Sequence, residues 1–246
     1  MVAPTRDTQG YTEHNCDCGD SYKDTYTEVL NSCFTMVKGT AFNSLISDNI
    51  TKIVFTNIAA PEDAVIVDVS ANTDGSVVTW TEDTVMYVTT IDGGVLYANA
   101  DCDEMCYQKA NLKEIVFDNF NTSNVSYMSR MFRECTSLTE LYFSSFDTSN
   151  TYTMGYMFKG CTNLITLDLS SWDLGKVTLI SEIFNGCSAL KTVYAGDWTN
   201  SATSAFLPQG MFRGCVSIQG AVAFDATKTG GSMANPTTGY FSIKAE

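Results

Sequence analysis

Apolar positions recur with a period of 26 residues in the second half of the chain. The pair Met131-Phe132 returns as Met157-Phe158 and Ile183-Phe184 after steps of 26, and as Met211-Phe212 after a step of 28. A cysteine follows each pair at a fixed distance, and a leucine or isoleucine follows each cysteine. Columns that keep one register indicate repeated structural units. The predicted core positions of the repeats are Met131, Phe132, Cys135, Leu138, Leu141, Met157, Phe158, Cys161, Leu164, Leu167, Phe184, Cys187 and Leu190.

Each unit predicts a strand, a turn, a short helix and a second turn. In the segment 138–143, Leu141 and Phe143 alternate with polar residues, as a half-buried strand requires. The apolar residues of the segment 125–135 are spaced by three, three, one and three, which predicts one face of a short helix. A glycine before the cysteine, as at Gly160, is where such a helix would end.

Units of this kind bury their apolar faces by stacking on one another. The strand pattern and the period lie in the range of leucine-rich repeats, roughly 20–29 residues. The predicted fold class is therefore α/β: a leucine-rich-repeat solenoid of strand–turn–short helix units, with an N-terminal β-rich cap and a helical N-terminal arm. The predicted domains are the arm over 1–49, the cap over 50–101, and the repeats with a C-terminal cap over 102–246.

The first hundred residues differ from the repeats. Candidate strands of the β-rich cap are residues 53–57, 64–70, 76–81, 85–91 and 95–99. Residues 22–37 instead show the apolar spacing of a helix that would end near Gly39. Two interpretations of this arm helix stay open: it docks on the cap, or it binds a partner and anchors the chain. Its partner-binding residues would be Tyr22, Tyr26, Val29, Leu30 and Phe34.

Charge and composition narrow the function classes. The 246 residues contain 14 Lys and Arg against 28 Asp and Glu, a net charge of −14. Phosphates and anionic lipids are recognised by clustered positive charge, so we expect neither nucleic acid nor an anionic membrane as partner. The sequence has no apolar run of about 18 residues, so no membrane span is expected. The single histidine, His14, argues against most histidine-based catalysis, and we expect a protein that is not an enzyme.

Several residue groups resemble metal or catalytic sites in composition only. His14-Asn15-Cys16-Asp17-Cys18 matches no standard zinc spacing, so local thiols or a disulfide are favoured, although a metal site with Cys33 stays open. Asn121, Asp147 and Asp173 share one repeated turn position, which Asx turns explain without calcium. The repeat cysteines predict buried free thiols. We therefore predict no metal and no cofactor.

The enzymatic alternative is a hydrolase of surface glycans that would use paired acids such as Asp101 and Asp103. Neither a supporting base nor a nucleophile accompanies these acids in the sequence. The acids of the segment 101–104 are therefore interpreted as a solvated rim.

The repeat blocks resemble a known family. Met131-Phe132-Arg133-Glu134-Cys135-Thr136-Ser137-Leu138 and Ser144-Ser145-Phe146-Asp147-Thr148-Ser149-Asn150 are similar to BspA-type leucine-rich repeats. Residues 67–80 and 235–241 resemble the segments that precede and close such repeats. The resemblance covers about residues 50–246 and implies a surface protein of gut or oral bacteria, or of phages that infect them.

The resemblance and the N-terminal arm together predict a non-enzymatic structural or interaction protein. We expect a phage virion component of the head, tail-fibre or decoration type, located in the virion. The repeat face would contact a cell-surface protein or glycan, residues 1–50 would contact other structural proteins, and homo-oligomers are compatible with this role. The alternative is a bacterial surface adhesin whose leader was removed. No apolar stretch of signal-peptide length follows Met1, which favours the virion.

Overall fold

The computed structural model describes residues 13–15, 21–23, 33–143, 145–200 and 210–244. In these ranges the chain forms one α-helix, α1 (Gly39–Leu45), and two short 3-10 helices, Trp198–Asn200 and Gly231–Met233. The strands are β1 (Glu13–Asn15), β2 (Ser21–Lys23), β3 (Cys33–Thr35), β4 (Lys52–Phe55), β5 (Val67–Asp68), β6 (Val77–Glu82), β7 (Val85–Thr90), β8 (Val95–Tyr97), β9 (Glu114–Phe117), β10 (Glu140–Leu141), β11 (Thr166–Asp168) and β12 (Thr192–Tyr194).

These strands form small sheets. One sheet has five strands in the order β5-β6-β7-β4-β9, and another has three in the order β10-β11-β12. Strand β4 is parallel to both β7 and β9, whereas β6 is antiparallel to β5 and β7. Strands β3 and β8 form a parallel pair, and β1 and β2 an antiparallel pair.

The five-stranded sheet arises from the alternation of apolar residues in the first half of the chain. Ile53 and Phe55 of β4 are buried, and they lie opposite the buried Ile115 and Phe117 of β9. The rings of Phe55 and Phe117 stack with centroids 5.3 Å apart. The alternation predicted in this region is therefore present as strands, with ends that differ from the prediction by at most three residues.

The 26-residue period sets the register of the three-stranded sheet. Leu141 pairs with Leu167, which pairs with Val193, and all three are buried. Isolated parallel bridges continue the same offset elsewhere, from Tyr127 to Thr153 and on to Leu179. Equivalent residues of successive units are thus placed side by side.

The segment 125–135 is a series of turns and not the predicted helix. Arg130, in its middle, has a left-handed backbone with φ of 57°. The amide of Arg130 donates to the carbonyl of Gly155 at 2.9 Å, and the amide of Phe132 donates to the carbonyl of Met157 at 3.0 Å. In an α-helix these amides would donate four residues back along their own segment. Alternate amides of this segment, from Met128 to Glu134, bind the next unit instead.

Aromatic rings continue from unit to unit through the core. The rings of Phe132 and Phe158 are 5.8 Å apart and 7° from parallel, and those of Phe158 and Phe184 are 6.0 Å apart and 3° from parallel. Phe212 stacks on Phe184 at 5.5 Å. Aromatic side chains bury a large apolar area each, so this column contributes strongly to the stability of the core.

The predicted fold class is wrong. The protein is mostly β-sheet, with 22% strand and 6% helix, and in the described ranges it has several small sheets and no solenoid. The short helices of the predicted α/β leucine-rich-repeat units do not form because left-handed residues interrupt them and their amides bind neighbouring units.

The helical N-terminal arm is wrong as well. Tyr22 lies in β2, and Phe34 lies in β3, where it pairs with Leu96 of β8. Tyr26, Val29 and Leu30 lie outside the described residues. Pairing with β8 satisfies the backbone of β3 and overrides the helical spacing of its side chains.

Gly39 begins α1, where the sequence predicts the end of a helix. A Cβ atom at this position would overlap the carbonyl groups of Cys102 and Asp103. The glycine is therefore explained by the close approach of α1 to the segment 101–103.

The division of the chain at residue 101 stays a prediction. The five-stranded sheet includes β9, which lies beyond that boundary. The amide of Gly39 also donates to the carbonyl of Asp101, and the side chain of Asn43 donates to the carbonyl of Tyr107 at 3.0 Å. The N-terminal elements are thus bonded directly to the first repeat.

Candidate functional site

One side of the parallel strands carries side chains that the core does not use. Alternate residues of β4, β9, β10, β11 and β12 are buried, so the residues between them point the other way. We call these outward residues the exposed sheet face. Its members are Val54, Val116, Tyr142, Asp168 and Tyr194.

Strand pairing aligns these residues as a first row in two parts, with Val54 and Val116 in the five-stranded sheet and the other three residues across the three-stranded sheet. Val54 lies opposite Val116, and Asp168 lies opposite Tyr194. Tyr142 follows Leu141, whose partner Leu167 precedes Asp168, so Tyr142 is the neighbour of Asp168. A second row on the same side of the strands has the same two parts, Lys52 with Glu114 in the five-stranded sheet and Glu140, Thr166 and Thr192 across the three-stranded sheet.

Tyr142 is the most exposed aromatic residue of the exposed sheet face, with 66% of its surface accessible. Its hydroxyl donates to Oε2 of Glu140 at 2.6 Å. This hydrogen bond and the charge of Glu140 raise the pKa of Tyr142, so the phenol stays protonated at neutral pH. The ring is therefore held in place while its surface remains open to a ligand.

Asp168 lies between the two tyrosines of the row and is half-buried. Its Oδ2 accepts from Nζ of Lys244 at 2.6 Å, and its Oδ1 accepts from the amide and the hydroxyl of Ser170. Burial opposes ionisation, but the hydrogen bonds from Lys244 and Ser170 outweigh it and lower the pKa of Asp168. The carboxylate is thus ionised and compensated.

The thirteen predicted repeat-core residues are all buried, at 2% exposure or less. They support the exposed sheet face from behind and do not reach a ligand in front of it. Cys135 shows how tightly they pack, since its Sγ donates to the carbonyl of Cys106 at 2.9 Å. Cys161 and Cys187 donate in the same way to Phe132 and Phe158.

The predicted free thiols of the repeats are confirmed. Cys135, Cys161, Cys187 and Cys215 are buried and form no disulfide. Burial raises the pKa of Cys135 to about 12 and that of Cys215 to about 12. A thiol in this state is a poor nucleophile and a poor metal ligand.

The Asx turns predicted at the repeated turn position are confirmed. Side-chain oxygens of Asn121, Asp147 and Asp173 accept from the backbone amide two residues later, at 2.9, 2.9 and 2.7 Å. Among the residues that the structure describes, His, Cys, Asp and Glu form no group of three that could hold a metal ion. His14 lies in β1, while Cys16 and Cys18 lie outside the described residues.

The acids of the segment 101–104 have partners within the chain. Asp101 lies 3.7 Å from Nζ of Lys38, and Glu104 accepts from Arg130 at 2.9 Å. Oδ1 of Asp103 accepts from the amide of Ser129 at 2.6 Å, and burial raises the pKa of this carboxyl. The contacts of Asp103 and Glu104 join the turns of neighbouring units, and that of Asp101 joins the first unit to Lys38.

A shallow groove of about 270 Å³ lies beside the turns of the first units. Asn119 lines it and donates to the carbonyl of Gly94 at 2.9 Å, and Asn121 and Asp147 form the Asx turns described above. Its polar side chains therefore serve the backbone, and the groove is a weaker candidate than the exposed sheet face.

Tyr142, Asp168 and Tyr194 were not among the residues singled out by sequence. They are 26 residues apart and each follows a core position of the strand, so their place on one face could have been derived. Asp168 differs from the two tyrosines, however, and a repeat is recognised by positions that keep one kind of residue in every unit.

A family model described as "Mycoplasma protein of unknown function, DUF285" matches residues 100–224, which is half of the chain. The chain belongs to the DUF285 family. No curated protein and no solved structure matches it.

The DUF285 match contains the central part of the exposed sheet face. It includes β9 to β12, and with them Tyr142, Asp168 and Tyr194. The resemblance to BspA-type repeats stays a prediction. In the described part of this DUF285 chain, no helix is both long enough and apolar enough to cross a membrane.

Proposed function

We propose that this DUF285 chain is a non-enzymatic binding protein whose exposed sheet face contacts a molecule on a host or mucosal surface. The exposed ring of Tyr142 carries the proposal. Tyrosine is enriched among the residues that dominate binding energy, because its ring offers a large contact area at a small entropic cost.

The scaffold behind the ring supports a binding role. The residues before and after Tyr142, Leu141 and Phe143, are both 2% exposed, and Phe143 contacts Phe158 and Trp172. A side chain held between two buried neighbours loses little freedom when a ligand binds. The bond from its hydroxyl to Glu140 has the same effect.

The proposed setting is a phage virion, in which residues 1–50 would contact other structural proteins. The bacterial cell surface is the alternative setting. Support for both comes from the resemblance to BspA-type repeats. Mass spectrometry of purified virions, compared with proteins released from intact cells by protease, distinguishes the two settings.

The binding role is tested by comparing two tyrosine variants. Fluorescently labelled full chain is applied to immobilised gastric mucin and to fixed cells of gut bacteria. Tyr142→Ala should cost about 2 kcal/mol of binding free energy or more, the usual loss at a dominant aromatic contact. The matched control is Tyr152→Ala, since Tyr152 is 46% exposed but lies outside the exposed sheet face. Equal binding of the two variants and the parent chain on every surface would contradict the proposal.

A further inference from the structure

We infer that the exposed sheet face binds a neutral glycan, with sugar rings stacked on Tyr142 and Tyr194. This inference rests on the proposed function and specifies the class of its ligand. It follows from the spacing of the two tyrosines, from the pairing of the carboxylates around them, and from the charge of the whole chain.

The two tyrosines are spaced for an extended oligosaccharide. Tyr142 follows β10 and Tyr194 ends β12, with β11 between them. Two strand spacings amount to about 10 Å. Successive sugar rings along a chain present apolar C–H faces, and such faces pack on exposed aromatic rings. A sugar chain laid across β10, β11 and β12 would therefore meet the exposed ring of Tyr142 at one end and the half-buried ring of Tyr194 at the other.

Polar groups suited to sugar hydroxyls lie between and beside the rings. Asp168 stands between the tyrosines in the first row, and Thr166 and Thr192 are neighbours in the second row. Glu140 is adjacent to Thr166 and accepts the hydroxyl of Tyr142. Carboxylate oxygens accept two or more hydrogen bonds each, so these groups can receive sugar hydroxyls without losing their present partners.

Each carboxylate in the two rows already has a hydrogen-bond partner, and for two of the three that partner is a lysine. Glu114 is paired with Lys52 at 2.9 Å, and Asp168 is paired with Lys244 at 2.6 Å. Glu140 accepts from the phenol of Tyr142. A cationic ligand would have to compete with these partners, whereas a neutral polyhydroxyl ligand adds hydrogen bonds to them.

The charge of the whole chain selects among glycans. Because its net charge is −14, the chain repels sialylated and sulfated sugars, which are also negatively charged. The repulsion acts over the short distance that salt screening allows. A polypeptide usually anchors a side chain in a pocket, whereas the space between Tyr142 and Tyr194 is taken by the half-buried Asp168. A neutral glycan is not repelled by the net charge and does not need a pocket between the two tyrosines.

The inference is tested on gastric mucin and fixed gut bacteria, each used untreated, after sialidase, and after sialidase followed by periodate, which cleaves the vicinal diols of sugars. Binding of the full chain is followed by biolayer interferometry or flow cytometry. We expect sialidase to strengthen binding and periodate to weaken it at least about tenfold, as Tyr142→Ala and Tyr194→Ala should. Tyr142→Phe keeps the ring and loses one exposed hydrogen bond, so it should bind within about fivefold of the parent.

The outcomes separate the two levels of the account. Binding that depends on Tyr142 but survives periodate and is lost after trypsin would mean a polypeptide ligand; it would overturn the glycan inference and leave the proposed function standing. Binding that needs Tyr142 and is stronger on sialylated than on desialylated mucin would overturn the neutral character of the glycan. Binding that ignores Tyr142 on every surface would overturn both. Circular dichroism melts of each variant exclude unfolding as the cause of a loss.

Discussion

The left-handed backbone of Arg130 predicts which of two substitutions, glycine or alanine, gives the more stable protein. The order is the opposite of the one that a helix would give. Arg130 has φ of 57° in the middle of the segment 125–135. Its side chain binds Glu104 at 2.9 Å, so a single substitution would change both the ion pair and the backbone. Comparing Arg130→Gly with Arg130→Ala removes the ion pair from both variants and leaves only the backbone to differ.

The expected difference follows from two opposing terms. A residue with a Cβ atom pays about 1–2 kcal/mol in the left-handed region, which glycine does not pay. Glycine in turn loses about 0.5–1 kcal/mol more conformational entropy on folding than alanine does. The balance favours Arg130→Gly over Arg130→Ala by roughly 0.5–1 kcal/mol. In a helix the same pair would differ by about 1 kcal/mol in favour of alanine.

Urea unfolding followed by circular dichroism measures this difference. The glycine variant should unfold at a higher urea concentration than the alanine variant. In a thermal melt of a chain of this size, about 1 kcal/mol corresponds to a shift in Tm of roughly 2–4 °C. A glycine control at Gly196, which has no neighbour within 4 Å of an added Cβ and no left-handed φ, should tolerate alanine. An alanine variant at residue 130 that is as stable as the glycine variant, or more stable, would refute the left-handed turns.

Three further predictions concern the core, the thiols and an ion pair. Phe158→Ala should lower the free energy of unfolding by about 3–5 kcal/mol in urea titrations, because the ring is buried between Phe132 and Phe184; a loss below 1 kcal/mol would contradict the aromatic column. Iodoacetamide at pH 8 should leave the repeat cysteines unmodified in the folded chain and alkylate them in urea, as measured by peptide mapping. Alkylation of Cys161 in the folded chain would contradict the burial of these thiols. The bond from Lys244 lowers the pKa of Asp168, so the stability advantage of the parent over Lys244→Met should be present at pH 7 and disappear as the pH falls below about 4; an advantage that persists at pH 2 would argue against this pair.

The strands and the core could be predicted because alternation and burial are local properties of the sequence. Ile53 and Phe55 alternate with half-buried residues, and Leu141, Leu167 and Val193 keep one register over 26-residue steps. Each of these residues needs only one buried side, and the sequence pattern records which side that is.

The helices could not be predicted correctly because the apolar spacing of 125–135 fits two backbones. Left-handed turns bring Met128, Met131 and Phe132 to the core as a helix would. The glycines Gly160 and Gly186, with φ of 77° and 81°, were the available signal, and helix ends use glycine in the same way. What decides between the two is the bonding of amides to the next unit, which is a long-range property.

The exposed sheet face was not predicted from the sequence, for a different reason. The face combines valine, tyrosine and aspartate, and what joins Asp168 to Tyr142 and Tyr194 is the position of each between core residues. The arm residues were predicted to bind a partner because their apolar spacing is regular, but Phe34 lies in a strand. Positions that a repeat leaves free are a better guide to a ligand than positions that it fixes.

Hydroxyl-radical footprinting of the chain, free and bound to desialylated mucin, tests most directly whether the exposed sheet face is the binding surface. Mass spectrometry then compares the oxidation of four tyrosines in one sample. The account predicts protection of Tyr142 and Tyr194, with Tyr127 and Tyr152 unchanged although both are exposed. Protection of Tyr127 and Tyr152 without protection of Tyr142 would contradict it.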